Sequence, residues 1–175
     1  DRLRYAFACC QQRNDSYYVA HRAIAQEGVA FFLHLGDYVY VSDGGTITLD
    51  DYRGVYQRFH SNPLLQELHA AVPLVAVWVD GEFYNGVDRT GPAARLAAAR
   101  TAWFEHQPVP RPRDDRTYRS LRWGRLAEMV LLDTRQYRDP EVPPNTRFFD
   151  LIDAQDTSLP PCDQMLAPGR TTLGE

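Results

Sequence analysis

The sequence contains no lysine, and all 19 of its basic residues are arginine. Set against 23 acidic residues, they leave a formal net charge of −4, with a pI near 5.7. That balance offers no positive field for nucleic acid or for an anionic membrane surface. Arginine does suit bidentate contacts to phosphate, so the choice of base leaves phosphate chemistry open. Cysteine is scarce too. Of the three, Cys9 and Cys10 are adjacent and Cys162 is far away, so no disulfide framework is expected. No apolar run approaches the roughly 20 residues of a membrane span. The N-terminus carries no signal-peptide pattern and starts almost directly on an apolar run. What remains is 175 residues with 44% apolar content, the size of one domain and enough for a real core.

The chain is organised around residues 29–40, an apolar run of the length of a buried parallel strand, broken by Gly36 and followed at once by Asp37. Two further runs end in a similar way: residues 5–8 lead into Cys9 and Cys10, and residues 74–79 lead into Asp80. Strands are expected over 4–9, 29–35 and 74–79. A helix over 17–27, stopped by Gly28, links the first two and implies a right-handed crossover. Thr48, with Asp50 and Asp51 behind it, predicts a helix over 49–60. Asn62 followed by Pro63 predicts another to about Ala71, and the alanine-rich stretch 93–106 a third. Residues 117–123 and 126–133 read as a hairpin whose second arm is the more buried. Beyond Pro140 the periodicity dissolves into a proline-rich segment.

In a parallel α/β sheet, ligands sit beyond the carboxyl ends of the strands. Cys10, Asp37 and Asp80 each occupy such a place, and a short turn brings the Tyr40 phenol back beside Asp37. A thiol, a phenol and carboxylates gathered there can hold a metal; an aspartate capping a turn beside a packed tyrosine is the other reading. His34, inside an apolar run, reads as a satisfied core histidine, and Cys9 as a small core residue. His21, His60, His69 and His106 fall on predicted helices as surface or structural residues. Arg135, in Asp133-Thr134-Arg135, is placed to meet a substrate phosphate or to form an inter-strand ion pair. Asn85 can donate to a phosphate or shape a turn. The arginines between 111 and 125 alternate with Asp114 and Asp115 and read as a paired, solvated surface.

These motifs, in order, are Phe7-Ala8-Cys9-Cys10-Gln11, His34-Leu35-Gly36-Asp37-Tyr38-Val39-Tyr40, Leu49-Asp50-Asp51-Tyr52, Val77-Trp78-Val79-Asp80-Gly81-Glu82, Leu132-Asp133-Thr134-Arg135-Gln136-Tyr137-Arg138 and Arg170-Thr171-Thr172-Leu173-Gly174-Glu175. With them the chain resembles the PhoD-like alkaline phosphatase/phosphodiesterase family, which includes some actinobacterial phospholipase D enzymes. The resemblance implies an α/β, metallophosphatase-like fold: a β-sandwich flanked by helices, partial here, with an irregular proline-rich C-terminal segment. Residues 1–139 would be the N-terminal part of the catalytic domain, and residues 140–175 the segment leading toward its missing half. It implies metal-dependent hydrolysis of phosphate mono- or diesters. Cys10 and Tyr40 would be ligands to a ferric ion, Asp37 would bridge it to a divalent metal such as Ca2+, and Asp80 would lie on the second-metal side. Secretion or a cell-envelope location follows from the same resemblance.

Three departures stand out. The family pattern Trp-Asp-Asp-His-Glu reads here Trp78-Val79-Asp80-Gly81-Glu82, so Gly81 stands where the family has the histidine that serves the leaving group or the phosphate. The family acid after Tyr40 is Val41. By the same resemblance the remaining Asp/His ligands would lie downstream of Glu175, and the extra β domain of the family would lie upstream of this stretch. The chain is therefore expected to carry about half of the cluster. The C-terminal part of the domain would complete it, as a second chain or a following segment. The alternative is a catalytically inactive remnant with a structural or interaction role.

Overall fold

The computed structural model describes residues 2–11, 18–42, 44–140, 168–171 and 173. Three short strands form a parallel sheet in the order β1 (Ala6–Ala8), β2 (Phe32–His34), β3 (Leu74–Ala76). Ala6 pairs with Phe32, and Phe32 with Leu74, so one register runs across the sheet. Helix α1 (Val19–Gln26) crosses from β1 to β2. Helices α2 (Leu49–His60) and α3 (Pro63–Ala71) lead from β2 to β3, and α4 (Ala93–His106) follows β3. Strands β4 (Arg119–Trp123) and β5 (Ala127–Leu131) close an antiparallel hairpin. The architecture is mixed α/β with two small sheets.

Local chemistry explains the helices. Thr48 and Asp51 form a reciprocal capping box: the Thr48 hydroxyl accepts the Asp51 N–H at 3.2 Å, and the Asp51 carboxylate accepts the Thr48 N–H at 2.8 Å. The Asn62 side chain accepts from Leu64 and Leu65 N–H, with Pro63 in the first turn. The strands are shorter than the apolar runs that hold them, because pairing ends where the chain turns toward the sheet edge.

One face of the parallel sheet is covered. Ala6, Ala8 and Phe32 pack there against Leu68 and Val72 and against Ile24 and Ala25 of α1. A larger core gathers Tyr38, Tyr52, Tyr56, Trp78, Phe83 and Trp103 where α2 and α4 meet the loops that leave β2 and β3. The other face is open at β1 and half-buried at Leu33 and Val75. Phe7 is 65% exposed and Tyr5 50%, with Tyr5 stacked on Phe31 at 5.2 Å and Phe31 touching Trp123 of the hairpin at 5.5 Å. The hairpin is tied to β3 by Arg119, which donates to the Ala76 carbonyl at 2.9 Å.

The second hairpin arm is the more buried of the two, as expected: Leu131 is buried and no residue of β4 is, although Val130 is 67% exposed. Other expectations are corrected. Cys9 is exposed rather than in the core, because β1 is an edge strand. His34 is fully buried, but neither ring nitrogen has a partner, and burial lowers its pKa to about 3. Of the two readings of the four helical histidines, surface or structural, the packing supports the structural one. His60 and His69 both pack against Tyr38, whose hydroxyl lies 2.6 Å from His69 Nε2, and His106 packs against His60. His21 is itself buried against Phe32. Cys162 and nearly all of the segment from 141 onward lie outside the described residues.

Candidate metal centre

Because β1, β2 and β3 run parallel, the segments that follow them leave from one edge of the sheet. Cys10, Asp37 and Asp80 belong to those segments. The exits are laced together: Cys10 N–H donates to the Gly36 carbonyl and Gln11 N–H to the Asp37 carbonyl, both at 3.1 Å. Gly36 has φ of 103°, and a β-carbon there would stand 2.1 Å from Val79 Cγ2, so only glycine lets the two chain exits pass this closely. Cys10 (φ 58°) and Asp37 (φ 55°) are both left-handed, a conformation uncommon for residues other than glycine and one that gathers at functional sites.

The side chains that follow from this backbone meet at one oxygen. Asp37 Oδ2 accepts from the Tyr40 hydroxyl at 3.1 Å and from the Cys10 thiol at 3.6 Å. Asp37 Oδ1 accepts the Gly81 N–H at 2.9 Å. Although Cys10 is exposed, partial desolvation of its thiol, with Asp37 and Cys9 beside it, pushes it up to about 11, and desolvation likewise raises the Tyr40 phenol. Both groups are therefore neutral at pH 7 unless a cation replaces their protons. Thiolate, phenolate and carboxylate converging on one point are a donor set that could hold a metal cation.

Asp80 stands at the same edge, joined to the cluster through its neighbour Gly81, but its carboxylate is turned elsewhere. Oδ2 accepts the Gly86 N–H at 3.0 Å, and Oδ1 lies 3.5 Å from Arg135. Of the two placements open to Arg135, the structure shows an ion pair. Its backbone is set by Asp133, a buried carboxylate that accepts N–H bonds from Arg135 and Gln136 at 3.0 Å each. Asn85 is exposed on the loop after Asp80. Among the described residues no cluster of three or more His, Cys, Asp or Glu able to hold a metal occurs; Cys10 and Asp37 are joined by a tyrosine instead.

A model of the PhoD-like phosphatase family matches residues 5–175. The chain belongs to the PhoD-like phosphatase family. Within it, the chain is 34% identical over 203 aligned residues to alkaline phosphatase D of Bacillus subtilis (strain 168), covering 99% of this chain and 33% of that protein. A solved structure titled "Structure of PhoD" superposes with a TM-score of 0.79 at 32% identity, covering 99% of this chain and 37% of the other. The chain thus spans about a third of the length of the curated PhoD-like relative it matches.

One residue that supports this PhoD-like site escaped the sequence reading. Glu82 is fully buried and bridges the two exits, accepting from Tyr38 N–H at 2.7 Å and Val79 N–H at 3.0 Å. Burial raises its pKa to about 7, while the two N–H bonds pull the other way. Its sequence signal is its place at the end of the Val77–Glu82 motif, two residues after Asp80.

Proposed function

We propose that this chain is the N-terminal part of the catalytic domain of an exported, metal-dependent phosphoesterase acting on phosphate mono- or diesters. The observation that carries the reading is the meeting of Cys10 Sγ and Tyr40 Oη on one oxygen of Asp37. Cys10, Tyr40 and Asp37 would hold a ferric ion, with Asp37 shared toward a divalent ion such as Ca2+ and Asp80 on that second side. Bound there, the ions supply charge neutralisation on the phosphate and an ionised water near neutral pH. Arg135 and Asn85 are the residues proposed to contact the ester phosphate; an arginine released from Asp80 offers two parallel N–H donors to it. Residues 1–139 would form the folded part, and 140–175 would lead to the rest of the domain.

The exposed apolar end of the sheet at Tyr5 and Phe7 fits this proposal, since an apolar sheet face needs a second layer. The rest of the domain, as a following segment or a second chain, would complete the sandwich and the ligand set. A second reading, an inactive remnant that retains the shape for a structural or interaction role, is favoured by Gly81 in place of the histidine and by Asp80 paired to Arg135.

The test is iron loading of the purified chain, followed by assay on an activated phosphodiester with Ca2+ added. The expected result is a visible thiolate/phenolate-to-iron absorption that Asp37→Asn removes. Turnover should be negligible for the chain alone and should rise when the rest of the domain is co-expressed. A chain that never develops the absorption overturns the metal reading. Silent reconstitution with a full ligand set leaves the remnant as the answer.

A further inference from the structure

The backbone at position 81 leaves no room for a side chain. A β-carbon on Gly81 would lie 2.6 Å from the Val39 carbonyl oxygen, 2.9 Å from Asp37 Oδ1 and 3.2 Å from Asp37 Cγ. The first of these is main chain, which cannot rotate away. Val39 is buried in the large core, and Gly81 accepts the Val41 N–H at 3.1 Å, so the two segments are locked side by side. The same closeness lets the Gly81 N–H reach Asp37 Oδ1 at 2.9 Å. That bond leaves Oδ2 to face Cys10 and Tyr40.

We infer that Gly81 is a positioning residue: its amide and its missing side chain together fix the Asp37 carboxylate against the Val39–Val41 segment. Any side chain at position 81 would therefore displace the Asp37 carboxylate. This inference rests on the proposed role of Asp37 as a metal ligand for its chemical consequence, but not for its geometry. Outer partners that orient a ligand typically change metal affinity by about 10- to 100-fold when lost.

The experiment has two arms. In the first, Gly81→Ala, Gly81→His and the control Gly54→Ala, where a β-carbon meets only the tip of Arg58 at 4.0 Å, are loaded with ferric iron. The control should match the parent. Both Gly81 variants should keep the helical circular dichroism, bind iron about 10- to 100-fold more weakly and shift the charge-transfer absorption. Parent-like affinity and spectrum in Gly81→Ala would overturn the inference. The second arm needs neither a metal nor a variant at position 81. Asp37→Ala removes the acceptor, and amide exchange at Gly81 should quicken about tenfold or more, while that at Val41 holds. Unchanged protection at Gly81 would overturn the inference even if the Gly81 variants fail to fold. A parent chain that takes no iron, with Gly81 exchange still governed by Asp37, would sink the metal reading and leave the positioning intact.

Discussion

Cys9 and Cys10 are both exposed at the end of β1, yet only Cys10 is turned onto Asp37, and the left-handed φ of 58° does the turning. Cys10→Ser should therefore abolish the absorption of an iron-loaded chain, and Cys9→Ser should leave it in place. Equal loss from both, measured on protein with parent-like circular dichroism, would mean that the other thiol is the donor or that neither is. The sequence made the neighbourhood of Cys10, Asp37 and Asp80 legible, because parallel strands must deliver their following residues to one edge. It gave no sign that Asp80 would turn to Arg135, or that a buried Glu82 would tie two loops. Those outcomes depend on where main-chain N–H groups are left over once the loops have folded, which no local pattern encodes.

Helices and strands differed in how far they could be read. The expected helices over 49–60 and 93–106 coincide with α2 and α4, since capping and periodicity act within a few residues. The expected strands over 4–9, 29–35 and 74–79 shrink to three residues each, because a ladder exists only where a distant partner runs alongside. The capping box of α2 supplies a direct check. Thr48→Ala removes the acceptor for Asp51 N–H and leaves the helix start open, so it should lower unfolding free energy by about 1 kcal/mol in urea titration. Thr48→Asp, which keeps an acceptor at that place, should recover most of the loss. An unchanged midpoint in the alanine variant would mean that α2 is held by its buried Tyr52, Val55 and Tyr56 alone.

At the scale of the whole molecule, burial acts on several histidines in the same sense. Burial lowers His21 and His60 to about 4 and His34 to about 3. In the unfolded chain each takes a proton near pH 6.5, whereas the folded chain refuses it, so stability is fully present above pH 6.5 and falls as pH drops toward 4. Glu82, raised to about 7, acts in the opposite sense: it favours the folded state below its unfolded value, and that contribution is lost as pH rises through 7. Each group at full effect is worth about 1.4 kcal/mol per pH unit, so three histidines outweigh one carboxylate between pH 6.5 and 4.5. The urea midpoint should thus fall steadily from pH 7 to pH 5. A flat or rising midpoint would show that the histidines are not buried in solution as they are here. His34→Phe should flatten the slope.

The left-handed turns at Cys10 and Asp37 set selection for folding against selection for chemistry. Each such turn costs on the order of 1–3 kcal/mol for most residues, and glycine or asparagine removes much of that cost. At position 37 the replacement that preserves charge, glutamate, fits the turn poorly, while the one that erases charge, asparagine, fits it well. Random drift that is filtered only for foldedness would therefore erode these two donors first, and the descendants would be sturdier than the ancestor while having lost its chemistry.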